Sequence, residues 1–307
     1  MTEESTHRPS LWQSASRAWV KGLARTSVGS KVLRAAYEGY FESVGGHQRV
    51  FRGLYPDFAS AAADAPPGKQ VGYDGDATAT RHAHERHFLF PSDYAVLFWL
   101  SRLVCGATLL FDLGGDVGAR YLAFRKYLTY PENLTWLVND IPAVVALGRT
   151  IAEQEAAVHL KFTTDYARLG EADILLASGV LQVLEDWNGF LHRAPNLPRH
   201  LLINRTPVGD QPNAVTLSSI GTAFIPYRIF NRRSFVAAFT NIGYRLVDEW
   251  RTPESNCWIP NHASHSLDSY SGFYFILDPP GLAQTGASAT ELANFPGLPP
   301  KLEIGSQ

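Results

Sequence analysis

The chain has 307 residues, of which 45% are hydrophobic and 18% charged. That composition excludes a disordered chain, and only two cysteines in so long a chain exclude a disulfide scaffold. With 27 Lys and Arg against 29 Asp and Glu, the net charge of −2 gives no reason to expect a nucleic-acid binder.

Glu3 and Glu4 stand where a secretion signal would carry basic residues and an apolar run. Residues 94–113, the most apolar stretch, contain Arg102 and Asp112, whereas a membrane span needs about 20 residues with almost no charge. A soluble, cytoplasmic protein without a membrane span is expected. Residues 11 to about 55 carry apolar side chains at helical spacing and read as a locally basic helical extension. Ala65-Pro66-Pro67-Gly68 then punctuates the chain. Residues 93–105 read as an apolar helix, with Asp93 as its cap. Strands follow at 108–113, 134–138, 158–162, 173–177 and 200–204, with helices at 119–128, 143–155 and 187–192. A helix at 234–241 and strands at 244–250 and 272–277 close the pattern; the last two strands have only a short link, so one should be antiparallel. Short apolar strands alternating with helices predict an open, mostly parallel α/β sheet covered on both faces. Residues 207–227 read as a long loop able to cover a pocket. Past Pro279-Pro280 the composition turns to Gly, Ala, Ser and Pro, a loosely held tail. The expected organisation is a helical extension or lid over 1–90, a sheet domain over 91–280 and a tail over 281–307.

Ligands of such sheets bind beyond the carboxyl ends of the central strands. There the first strand runs into Asp112-Leu113-Gly114-Gly115-Asp116-Val117-Gly118. Glycines at that turn let a backbone approach a ligand closely. The run fits an acid followed by spaced glycines, with Asp116 in the middle glycine position, better than a dinucleotide fingerprint, whose first glycine is Leu113. Asn139-Asp140-Ile141-Pro142 follows the second strand; Asp140 suits a ribose diol or a helix cap. Asp165 follows the third strand and suits a cap or an adenine contact equally. Ser178-Gly179 ends the fourth.

Glycine loop, second-strand acid and fourth-strand segment, in that order, resemble the class I S-adenosylmethionine-dependent methyltransferases. The sequence is similar in particular to a poorly characterised bacterial family often met near polysaccharide-biosynthesis genes. That similarity spans roughly 51–277, through FRGLY (51–55), GYD (72–74), FLFPSDYAVLFWL (88–100), DLGGDVGARY (112–121), SGVLQVLED (178–186) and RTP (205–207). It implies a Rossmann-like sheet of seven strands, the last antiparallel, and S-adenosyl-L-methionine as cofactor. It places Asp112, Gly114, Gly115 and Gly118 near the methionine end and Asp140 with Ile141 at the ribose. Asp165 would lie near the adenine, while Ser178, Gly179 and Gln182 flank the sulfonium. Small-molecule O-methyltransferases, similar through residues 138–149, place a His base where this chain has Gln182.

Methyl transfer depends mostly on alignment, worth about 7–11 kcal/mol, with a general base adding ~10²–10⁴-fold. Catalytic candidates are therefore His87 as an alternative base, Gln182 as an orienting amide and Arg205 as an anchor for an anionic substrate group. Tyr73 and Tyr227 are candidate substrate contacts. His82, His84 and His87 beside Glu85 lack a second ligand cluster, so no metal is expected. The reading is a methyltransferase of a small-molecule or sugar-derived acceptor, acting at oxygen, with a homo-oligomer left open. A non-catalytic cofactor-binding scaffold and a nicotinamide-dependent oxidoreductase are the alternatives.

Overall fold

The structure, a computed structural model, describes residues 27–43, 49–72 and 87–278. Strands β3 (Leu109–Leu113), β4 (Thr135–Asn139), β5 (Leu160–Thr163), β6 (Ile174–Ser178), β7 (His200–Thr206), β11 (Tyr244–Thr252) and β12 (Tyr270–Leu277) form one seven-stranded sheet. Its order is β11-β12-β7-β6-β3-β4-β5. Neighbours from β5 to β7 pair in parallel, and β12 runs antiparallel to both β7 and β11. The chain winds outward from β3 in one direction and returns to build β6 and β7 on the other side. That reversal opens a crevice at the carboxyl ends of β3 and β6.

Alternate residues of these strands enter two separate cores. Leu110, Trp136, Ile174 and Leu202 face one side, with helices α3 (Asp93–Leu103), α4 (Ala119–Phe124) and α5 (Pro142–Gln154). Phe111, Leu137, Leu175 and Leu201 face the other, with α6 (Gly189–Arg193) and α7 (Arg232–Thr240). Burial on both faces explains why the strands read as continuous apolar runs. Every helix and strand expected from residue 93 to 204 is present, the helix at 119–128 being shorter than its sequence pattern suggested.

A second sheet departs from the expected organisation. It joins β1 (Val50–Tyr55), β2 (Gln70–Val71), β8 (Val208–Gly209), β9 (Ala214–Ser219) and β10 (Ala223–Asn231). The stretch 207–227 is therefore not a loop. Its polar character comes from Thr216, Ser218 and Ser219, all fully buried on a strand whose Val215 and Leu217 are buried too. Likewise β1 replaces the end of the expected helical extension and pairs antiparallel with β9. Ahead of it lies α1 (Ser27–Ser43), and after it α2 (Phe58–Ala63), capped by the Asp57 carboxylate on the Ser60 amide. Residues 1–26, 44–48 and 73–86 of the extension and the tail past 278 lie outside the described residues. Strand β10 packs on the 3₁₀ turn Leu181–Val183 just past β6, which sets the second sheet beside the crevice.

Helix α5 rests on β5 through Gly148, where an added Cβ would stand 2.3 Å from Phe162 Cε1. Gly148→Ala is expected to destabilise the fold by about 1–3 kcal/mol through overpacking, despite alanine's better helix propensity. Urea-unfolding midpoints of the two proteins measure this directly.

Candidate functional site

Asp112, the penultimate residue of β3, lies on the α3 side of the sheet and is 1% exposed. Its Oδ2 accepts the Trp136 indole N–H at 2.9 Å, while Oδ1 has no hydrogen-bond partner among the described residues. Burial pushes the carboxyl up to about 7, against the lowering effects of Trp136 and Arg120. The following backbone turns directly over this group. A Cβ on Gly115 would stand 2.5 Å from the Asp112 carboxyl carbon, so only glycine lets the loop pass. Gly114 donates its N–H to the Asn139 carbonyl at 2.8 Å, holding the loop against β4. Gly118, at φ 81°, starts α4 in the left-handed region and has Leu160 where a side chain would lie.

Asp140 follows β4 at the same edge. It is not the helix cap, a position held by Ile141. Instead its Oδ1 accepts the Ile141 N–H at 2.8 Å and its Oδ2 accepts the Asp116 N–H at 3.0 Å. One carboxylate thereby ties the glycine loop to the start of α5. Asp116 has φ 58° and its carboxyl is pushed up to about 7, first by burial and then by the neighbouring Asp140. Burial also raises Asp140, against its two backbone hydrogen bonds. Asp165 is exposed and caps the 3₁₀ turn Tyr166–Glu171 through the Ala167 N–H at 2.9 Å.

At the ends of β6 and β7 the side chains interlock. Gly179 donates its N–H to the Asn204 carbonyl at 2.8 Å. Arg205, with φ 53°, donates through Nη2 to the Ser178 hydroxyl at 3.0 Å and lies 4.0 Å from the Asp93 carboxylate. Gln182 is 3% exposed and donates through Nε2 to the Arg205 carbonyl at 3.3 Å; its Oε1 has no partner among the described residues. Asp93 is the first residue of α3 rather than its cap, which is Ser92. It accepts the Phe90 N–H at 2.9 Å and forms a buried ion pair with Arg120. Asn204 donates to the Ser92 hydroxyl at 3.1 Å, and Ser92 in turn bonds Glu254. Sequence reasoning did not single out Arg120, Asn204 or Glu254. The one available signal was a charge inside an apolar run, as in residues 119–124.

Of the remaining candidates, two are described. His87 is exposed and sits 3.2 Å from Glu155, the residue that ends α5 at the amino-terminal side of the sheet. Its position in sequence just before α3 does not bring it among the groups at the carboxyl ends. Tyr227 is 2% exposed, packed edge-on against Phe51, and donates to the Tyr270 hydroxyl at 3.1 Å. Tyr73 lies outside the described residues, as do His82, His84 and Glu85.

No family model matches the chain. The carboxy-S-adenosyl-L-methionine synthase of Geobacter metallireducens is 32% identical over 114 residues, 37% of this chain and 45% of that protein. The chain thus aligns with less than half the length of that relative. Among solved structures, the chain is similar to the 1,6-didemethyltoxoflavin-N1-methyltransferase of Burkholderia thailandensis. That likeness has TM-score 0.43 and 15% identity, covering 66% of this chain and 87% of that one. It is also similar to an S-adenosylmethionine-dependent methyltransferase from Aquifex aeolicus, with TM-score 0.45 and 10% identity, over 66% and 99% of the two chains. The fold is Rossmann-like, a mostly parallel seven-stranded sheet with its last strand antiparallel. No helix among the described residues is long and apolar enough to cross a membrane.

Two predictions follow from the charges. Arg120→Met leaves Asp93 buried without its partner and should cost about 3–5 kcal/mol in urea unfolding. Asp112 and Asp116 keep their protons to about 7 when folded, whereas unfolded carboxyls titrate near ~4. The folded state therefore binds more protons in that window, and stability should fall as pH rises from about 4 to about 7. Asp112→Asn should flatten the fall in a denaturation series across that range.

Proposed function

We propose that the chain is an S-adenosyl-L-methionine-dependent methyltransferase of a small-molecule acceptor, transferring to oxygen. The observation that carries the reading is Asp140, held beyond β4 by the Asp116 and Ile141 amides beside a glycine loop that no side chain could follow. The unpartnered Asp112 oxygen suits a group that brings donors or positive charge. When bound, the cofactor supplies a methyl group on a sulfonium for in-line displacement. Asp140 would accept the ribose hydroxyls, with Ile141 beside them, and Asp165 would face the adenine. Gly114, Gly115 and Gly118 would let the loop lie against the methionine end, and Ser178 and Gly179 would flank the reacting centre.

Gln182 would orient the acceptor hydroxyl through Oε1, because its amide nitrogen is engaged by the Arg205 carbonyl. An amide takes no proton at neutral pH, so alignment would supply most of the rate. Arg205 would anchor an anionic part of the acceptor from beside Ser178. Tyr227 and Tyr73 would stand on the acceptor side. The partial likeness to a carboxy-S-adenosyl-L-methionine synthase supports the cofactor class. The sequence similarity to a family met near polysaccharide-biosynthesis genes favours a sugar-derived acceptor. A scaffold that binds the cofactor without turnover is favoured by one observation, the amide of Gln182 in the position of a base; methylated product from any sugar or phenol would remove that reading.

Isothermal titration with S-adenosylhomocysteine tests the site. Wild-type protein should bind saturably, and Asp140→Ala should weaken binding about 10–100-fold through lost charge-assisted hydrogen bonds. Unchanged affinity in Asp140→Ala would overturn the assignment.

A further inference from the structure

Helix α3 is apolar on both of its sides. Val96, Leu97 and Leu100 are buried in the core against the sheet. The exposed residues are Tyr94, Phe98, Ser101 and Arg102, so the outer side carries no lysine, aspartate or glutamate. A helix with one side in water ordinarily shows several charged residues there. Here Tyr94 is 57% exposed and Phe98 46%. Tyr127, 56% exposed just beyond α4, continues the surface, with its ring edge-on to Tyr94 at 6.4 Å between centroids. Arg102 lies over the Phe98 ring, its guanidinium carbon 3.7 Å from the centroid, and its Nη1 donates to the Phe98 carbonyl at 3.0 Å. No carboxylate pairs with Arg102 among the described residues. Aromatic rings and arginine without other charges are the composition of a protein interface, not of a solvated helix face.

We propose that this face of α3 is the interface of a homodimer, in which two copies of the helix cross antiparallel about a two-fold axis at Phe98. The spacing is self-complementary. Tyr94 and Arg102 stand four residues before and four after Phe98, in one row along the helix. An antiparallel second copy sets each Tyr94 ring against the partner's Arg102, and Phe98 against the partner's Phe98. A two-fold contact requires that reciprocity. The guanidinium, covered on one side by Phe98 of its own chain, gains an aromatic face on the other. A parallel crossing would instead bring two arginines together. The available area fits the same occupant. Aromatic side chains cover about 150–250 Å² each, so three at roughly half exposure offer about 300 Å² of apolar centre. With flanking residues the contact reaches about 500 Å² per copy, the lower end of specific interfaces. A dimer with a Kd on the order of 10 µM is the expected result.

The test is sedimentation velocity of the full chain from about 1 µM to about 200 µM, a range that brackets the expected Kd. Wild type should pass from monomer to dimer across it. Phe98→Glu places two carboxylates together at the axis and should weaken association about 100-fold. Its melting temperature by circular dichroism should match wild type, because the ring lies outside the core. Tyr94→Arg opposes two guanidiniums and should weaken association about tenfold, whereas Tyr94→Arg with Arg102→Tyr should return it to within about threefold of wild type. Only the antiparallel crossing gives that rescue. Wild-type protein that stays monomeric throughout, a dimer indifferent to Phe98→Glu, or an exchange that fails to restore association would each overturn the proposal. Should these variants fail to fold, cross-linking decides. Phe98→Cys with Cys105→Ser should form a disulfide-linked dimer on oxidation, and a chain that remains monomeric overturns the proposal.

Discussion

Asp93 is a fully buried carboxylate on which three separate stretches of chain converge. It holds the Phe90 amide from the segment before α3, pairs with Arg120 in the first turn of α4, and lies near Asn204 and Arg205 at the end of β7. The Phe90 ring sits 5.3 Å from one guanidinium and 4.8 Å from the other. A buried ion pair of this kind adds little net stability over apolar packing, yet is costly to break by halves. Its effect is positional. It fixes where α4 starts, and therefore where the glycine loop must end, relative to the strand that carries Arg205.

The opposite wall of the crevice is organised by repulsion rather than pairing. Asp112, Asp116 and Asp140 are drawn together by backbone geometry, because each sits at a strand end or in the turn beyond it. Burial raises all three, and like charge adds to the rise of Asp112 and Asp116. The molecule thus holds an ion-paired cluster and a cluster of like charges on neighbouring strands, and the fold's switch point lies between them.

Much of this was legible in the sequence because the central strands are buried on both faces. Runs such as those leading into Asp112 and Ser178 can be little else, and their order fixed the sheet, including the antiparallel last strand. The acids at strand ends were legible for the same reason: a charge directly after an apolar run marks the end of a strand. The second sheet was not legible. In β9, hydroxyl side chains alternate with apolar ones, and with both sets buried the strand looks like a polar loop. The placement of His87 was hidden too, since only Phe88 and Leu89 separate it from Phe90, which packs against Arg120 and Arg205. Proximity in sequence to α3 said nothing about which end of the sheet it would reach.

The pairing of β1 with β9 joins residues 50–55 to residues 215–219. Without the earlier segment, β9 would present a row of bare amide and carbonyl groups along an edge that carries Val215 and Leu217. Such an edge is a template for strand addition from another molecule. The segment before α3 therefore works as a selvedge, a finished border that keeps the second sheet from unravelling into its neighbours. During synthesis that border is made first and waits for its partner until the chain has passed residue 219, so the protein carries its own protection against self-association before the vulnerable strand exists.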